Sequence, residues 1–143
     1  FLFFLITSCG FKPIYISDKS NFTFKNAKVE GDIKLSNVIL KNLNSLKNKD
    51  GKFDLIISSN YKKIISSKDK KGNPEVYDMG LIVNLIVKND NEELKNKFKE
   101  NLSYNNLSSK FELKQYEDDL KMNLANKITQ DIIIYLNSIQ NDY

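Results

Sequence analysis

Apolar residues recur along this chain with two periods, and each change of period marks a new element. Between Phe22 and Gly31 a short alternation predicts a first strand with Ala27 and Val29 pointing inward. From Asp32 to Lys47 the spacing becomes helical. Leu35, Val38, Ile39, Leu43 and Leu46 fall on one side, Ser36, Lys41, Asn44 and Lys47 on the other, and Asp32 or Ser36 is placed to cap the start. Alternation returns with Phe53, Leu55, Ile57, Ser59, Tyr61 and Ile65, and the run from Lys68 to Pro74 supplies the turn residues Asp69, Gly72, Asn73 and Pro74. The next strand carries Tyr77, Met79, Leu81, Val83, Leu85 and Val87 on one face, while Ile82 and Ile86 make its other face partly apolar, the mark of a central strand. After a turn at Asn89, Asp90 and Asn91, the residues Leu94, Phe98, Leu102 and Tyr104 alternate with Lys95, Lys97, Lys99, Asn101 and Ser103. Those lysines must face solvent or a partner. Ser108 to Asn141 is the longest helical stretch, with Leu113, Tyr116, Leu120, Leu124, Ile128, Ile132, Tyr135 and Ile139 three or four apart. Ser108 and Ser109 offer its cap, and Glu112, Glu117, Asp118 and Asp119 gather in its first half, where the helix dipole favours anions.

Two amphipathic helices need one apolar surface, and a four-stranded sheet covered on one face provides it. The expected fold is α+β: a two-layer α/β sandwich of order β-α-β-β-β-α, with both helices on one face of a mixed sheet. The helix between the first two strands permits a parallel crossover, and the short turns force the later strands antiparallel. Residues 22–143 form this one domain, with no internal repeat.

Composition narrows the chemistry. One cysteine in 143 residues closes no disulfide within the chain, and the absence of histidine removes the common zinc and copper sites and any histidine base. The net charge of +4 comes from 22 lysines against 18 acids with no arginine. Nineteen asparagines and sixteen isoleucines accompany them. An AT-rich coding sequence produces that bias, so the basic balance says little about an anionic partner. The carboxylates Glu75 with Asp78, and Glu117 with Asp118 and Asp119, lack the opposed partner across a cleft that acid-base hydrolysis needs, and read as surface groups. Glycine-rich phosphate loops, metal-spaced ligands and nucleic-acid modules are missing from the pattern. No cofactor and no catalysis are expected.

The first six residues, Phe1 to Ile6, are all apolar and carry no charge. That run is too short for a membrane span, which needs about 20 apolar residues, and fits the end of a secretory signal whose basic start lies upstream. Ile6-Thr7-Ser8-Cys9-Gly10 resembles the bacterial lipobox, in which the cysteine thiol is lipidated and the signal is cut just before it. The reading is a truncated signal peptide over residues 1–8 and a lipid anchor with an extended linker over 9–21. Pro13 fixes its own φ and pushes Lys12 toward extended geometry. Several acyl chains on Cys9, at about 0.8 kcal/mol per buried methylene, would make the attachment effectively permanent.

Beyond the lipobox, Cys9-Gly10-Phe11-Lys12-Pro13-Ile14-Tyr15 resembles the Cys-Gly-Phe-x-Pro-Leu-Tyr start of the LptE family of lipopolysaccharide-assembly lipoproteins. The long paired strands, the Ser103-Tyr104 step and the final helix with Leu124-Ala125-Asn126-Lys127-Ile128 are similar to that family's second half. The resemblance implies a non-enzymatic subunit at the periplasmic face of the outer membrane. Such a subunit partners and plugs the LptD β-barrel, aids its assembly and binds lipopolysaccharide on its way to the outer leaflet. Gly10, where inner-membrane lipoproteins commonly carry aspartate, agrees with outer-membrane transit. The family's strand arginines are absent here, which leaves lysines to meet lipopolysaccharide phosphates.

Two lysine clusters are candidates for that contact, the hairpin tip Lys68, Lys70 and Lys71 and the stripe Lys95, Lys97 and Lys99. A solvated face in a lysine-rich chain produces the same clusters. Ile56, Ile64, Ile82 and Ile86 are candidates for an apolar strip against a barrel wall. The rival readings are another small lipoprotein, such as a cell-wall synthase activator or transporter accessory, and a lipid carrier. No nucleic-acid partner is expected.

Overall fold

The structure, a computed structural model, describes residues 22–140. Cys9, the linker and the leader sequence lie outside the described residues. The order is β1 (Phe24–Gly31), α1 (Ile33–Asn42), a 3-10 turn (Asn44–Leu46), β2 (Phe53–Lys68), β3 (Pro74–Lys88), β4 (Glu93–Asn105) and α2 (Lys110–Gln140). The strands lie in sequence order in one mixed sheet, β1 parallel to β2 and the rest antiparallel, as the element order requires. Inward residues of β2 and β3, among them Leu55, Ile57, Leu81, Val83 and Leu85, meet Leu35 and Ile39 of α1 and Ile128, Ile132 and Leu136 of α2 in one core.

Gly31 makes the β1–α1 junction possible. Its φ is +72°, a Cβ there would come 2.1 Å from the Ser59 carbonyl oxygen, and the next amide, Asp32 N–H, donates to that oxygen at 2.8 Å. A close backbone approach with positive φ is a demand that glycine alone meets without strain. Asp32 then caps α1 by accepting from Leu35 N–H at 3.1 Å.

Four details differ from the periodic reading. Ala27 and Val29 face the core side opposite Leu55 and Ile57, but β1 is an edge strand and they are only half-buried. Phe22 and Phe24 fill the core at that end instead, with Phe22 stacked on Phe53 at 5.0 Å. The first helix stops at Asn42, where the Leu43 amide is shared between the carbonyls of Ile39 and Leu40, and the tighter turn that follows keeps both Leu43 and Leu46 inside. Ser36, placed on the polar side by its spacing, is fully buried. Its hydroxyl donates to the Glu30 carbonyl at 2.7 Å, lies 2.7 Å from Ser59 Oγ and accepts from Ser59 N–H at 3.2 Å, while Ser59 Oγ donates to the Asp32 carbonyl at 2.9 Å. Every polar atom of the pair is therefore satisfied, which is the condition for burying it. Ile65 keeps the inward side of its strand yet is 46% exposed, because β2 and β3 run on past β1.

The second helix starts at Lys110 with Ser109 Oγ accepting from Glu112 N–H at 3.3 Å. At about 1.5 Å per residue its 31 residues span roughly 46 Å. The fully buried stripe runs from Leu124 to Ile139, and the earlier turns, with Leu113 and Leu120 half-buried and Tyr116 exposed, cover the sheet less completely. Among the described residues no helix is long and apolar enough to cross a membrane.

Candidate functional site

Side chains alternate across a strand, so burying Leu81, Val83, Leu85 and Val87 beneath the helices commits Gly80, Ile82, Asn84 and Ile86 to the opposite, helix-free face. Strand register then decides what stands beside them. Ile86 pairs with Lys95, Asn84 with Lys97 and Ile82 with Lys99, while Ile56 pairs with Ile86 on one side and Lys28 on the other. The lysine stripe and the isoleucine strip, separate features in the sequence, thus interleave on one surface. Ile56, Ile82 and Ile86 are half-buried although among the described residues no helix lies over them, which fits shielding by the aliphatic stems of neighbouring lysines.

Not every cation on this face is free. Glu93 holds both Lys88 and Lys95 at 2.8 Å, and these bonds, Lys88's first, pull its carboxyl down to about 2. Glu30 likewise holds Lys28 at 2.8 Å. Lys97 and Lys99 have no ion pair among the described residues and are the available charges of the stripe. As members of an edge strand they also discourage edge-to-edge association, since lysine on an exposed strand resists pairing.

The same face carries an open depression of about 620 Å³ centred on Gly80. Gly80 pairs with Lys62 and with Asn101, and without a side chain it leaves a hollow between them. A Cβ there would come 2.7 Å from Asn101 Oδ1. Ile64 and Ile82 supply apolar floor, and Lys62 and Lys99 stand at its sides. Asn60, Asn101 and the Ser103–Asp78 pair line it as well, so the hollow is mixed: its isoleucines and ammonium groups suit an amphiphile with an anionic head, and the Asp78 carboxylate opposes one.

The hairpin-tip lysines are elsewhere. Asp69 accepts from Lys71 N–H at 2.8 Å and from Asn73 N–H at 2.9 Å and side-chain Nδ2 at 3.0 Å, and the Asn73 bonds lead in holding its carboxyl below the usual range. This ordered turn presents Lys68, Lys70 and Lys71 to solvent. Lys68 lies eight residues along β2 from Asn60, the residue level with Ile82 and Lys99, or about 27 Å at roughly 3.4 Å per residue. The structure does not bring the two lysine clusters together.

Sequence reasoning missed a polar cluster between the sheet and the start of α2. Glu117 is not a surface carboxylate: its side chain is 13% exposed, pairs with Lys63 and accepts from the Tyr104 hydroxyl at 2.8 Å. Lys63 Nζ also sits 3.9 Å from the centre of the Tyr77 ring, and Tyr77 stacks on Tyr104 at 5.5 Å. Burial first, then the bond to Glu117, holds the Tyr104 phenol well above its ordinary value. The alternation marked Tyr77 and Tyr104 as inward, but Lys63 and Glu117 meet only through the way α2 crosses the strands. Asp78 accepts from Ser103 Oγ at 2.6 Å and shares no cleft with Glu75 or the helix acids. Among the described residues no three His, Cys, Asp or Glu side chains gather as a metal site would need.

Comparison with known proteins gives the fold and little more. No protein-family model matches the chain, and no curated protein sequence does. The fold is similar to that of rare lipoprotein B from Shewanella oneidensis, with a TM-score of 0.66 and 14% identity over 82% of this chain and 98% of that one. An uncharacterized lipoprotein B from Nitrosomonas europaea gives 0.63 and 12% over 84% and 86%. A minor lipoprotein from Acinetobacter baumannii gives 0.51 and 11% over 82% and 95%.

Proposed function

We propose that this chain is an outer-membrane lipoprotein of the LptE kind. It is anchored through Cys9, partners and plugs an LptD-type β-barrel, and binds lipopolysaccharide on the helix-free face of its sheet. The observation that carries the reading is the shared fold with rare lipoprotein B, another name for LptE, over nearly the whole of that protein. The LptE-like run from Cys9 to Tyr15 supports it as a sequence feature, read apart from the fold.

The proposed mechanism is binding without reaction. Lipid A combines acyl chains with phosphates, and the Gly80 hollow with Ile64 and Ile82 offers apolar contact beside Lys62 and Lys99. Lys97 extends the positive row along β4. Lysines act here as point charges, and attract phosphate without the two-pronged geometry an arginine would impose.

The test is purification of the native protein from detergent-solubilised membranes. The expected product is acylated at Cys9 and forms a stable one-to-one complex with a large outer-membrane barrel. A complex with a peptidoglycan synthase, a lipid-loaded monomer, or an unacylated protein free in the cytosol would each overturn the proposal.

A further inference from the structure

The sheet leaves one strand edge open in its middle. β1 accompanies β2 only from Phe53 to Ser59, then turns away at Gly31 into α1, whereas β2 continues to Lys68. Ser59 directs its N–H to Ser36 Oγ and its carbonyl to Asp32 N–H, so the backbone groups of Ser59 point toward the β1 side. Pairing with β3 is regular up to Ile65, and strand geometry therefore turns the carbonyl of Tyr61, the N–H and carbonyl of Lys63 and the N–H of Ile65 the same way. Among the described residues no strand or side chain takes up these groups.

The other two edges are blunted. Asn48 N–H donates to the Phe24 carbonyl at 2.9 Å beside the start of β1. On β4 the Lys97 N–H is taken by Asn96 Oδ1 at 2.8 Å within the row of lysines. The β2 edge instead carries Ile64 and Ile65, each 46% exposed.

We propose that the edge of β2 between Asn60 and Lys68 is a strand-addition site for an extended segment of a partner protein in which acidic residues alternate with apolar ones. A row of alternating donors and acceptors is matched by another extended backbone. The apolar positions of such a segment would lie on the helix side beside Ile65, and its acidic positions on the opposite side, which Lys62 shares with Ile64. Its acids would meet Lys62 and Lys68, and the tip lysines Lys70 and Lys71 continue the positive charge. A second copy is the poorer occupant, because it would bring those same lysines against each other. The inference stands on the backbone geometry and does not depend on lipopolysaccharide binding by the helix-free face.

Amide hydrogen exchange followed by NMR on the full chain tests it. The probe is a synthetic, end-capped peptide of alternating valine and glutamate, up to about 1 mM, the weak end of specific recognition. In the chain alone, the Lys63 and Ile65 amides should exchange fast and the Lys62 and Ile64 amides, which point to β3, slowly. The peptide should slow Lys63 and Ile65 by about tenfold or more, in the manner of amides newly enclosed in a sheet. The same peptide N-methylated on alternate residues should have no effect, and Ile65→Lys should weaken the protection while the thermal midpoint holds. Three results would each overturn the proposal. They are protection of Lys63 and Ile65 in the chain alone, as another stretch of this chain or a second copy would give, no slowing by the peptide, and equal slowing by its N-methylated form.

Discussion

Replacing Glu117 by alanine should loosen the start of α2 from the sheet, and the structure sets the size of the effect. The substitution strands two donors, the Lys63 ammonium and the Tyr104 hydroxyl. Breaking a fully buried ion pair costs roughly 3–5 kcal/mol. The Lys63 side chain keeps 30% of its exposure, so water recovers much of that, leaving about 1–2 kcal/mol. A hydrogen bond to a charged acceptor contributes about 1.5–3 kcal/mol, and the two losses overlap because both donors use Glu117 Oε1. The expected total is about 2–4 kcal/mol. With an unfolding entropy of roughly 0.25 kcal/mol/K for about 120 residues, the thermal midpoint should fall by about 8–16 °C. Thermal and urea unfolding followed by circular dichroism measure the two quantities, with Asp119→Ala, an exposed acid of the same helix beyond its first turn, as the control expected within about 0.5 kcal/mol. A double-mutant cycle with Tyr104→Phe should return a coupling of about 1 kcal/mol. A Glu117→Ala loss no larger than the control's, with no coupling to Tyr104, would refute the claim that this cluster fastens the helix.

Three further predictions follow from the same geometry. Gly31→Ala should destabilise by at least about 2 kcal/mol in the same urea assay, since it adds a Cβ at positive φ where the Ser59 carbonyl already sits, and a neutral result would mean the junction is not as described. Glu93 should titrate near pH 2, not at its ordinary 4.5, in an NMR carboxyl titration at low salt. Because its folded value is depressed, the link to Lys88 and Lys95 is intact above pH 4.5 and fades as pH falls toward 2, and a midpoint at 4.5 would contradict it. The double change Lys97→Ser, Lys99→Ser should weaken lipopolysaccharide binding by about three- to tenfold at low salt and less at 0.15 M, where charges are screened beyond about 8 Å. Lys95→Ser should matter less because Glu93 already occupies that ammonium, and equal losses from all three lysines would sink the distinction.

The architecture was legible because β2, β3 and the second half of α2 each keep one period over many residues. Leu81, Val83 and Leu85 alternate without interruption, and Leu124, Ile128, Ile132 and Leu136 recur every fourth position. Periodicity reports which side a residue takes, not how far the opposite layer extends. Val29 and Ile65 thus take the side their period predicts, with less cover than Leu55 or Ile57. Ser36 departs from its period for a different reason: its hydroxyl is satisfied by the Glu30 carbonyl together with Ser59, twenty-three residues away, and no local signal announces the second partner. The same limit hid the candidate face. The alternation of β3 and β4 was plain, but the registers Ile82 with Lys99 and Ile86 with Lys95 are what join the strip to the stripe. Glu117 is the furthest case, since a helix acid looks solvated until the helix is laid across Lys63 and Tyr104.

The most direct test of the account is photo-crosslinking in living cells from two positions of the full chain, Ile82 in the floor of the helix-free hollow and Gln130 on the outer side of α2. The account predicts a lipopolysaccharide adduct from Ile82 and none from Gln130. Capture of lipopolysaccharide from Gln130 alone, or from neither position in a chain that is folded and acylated, would contradict it.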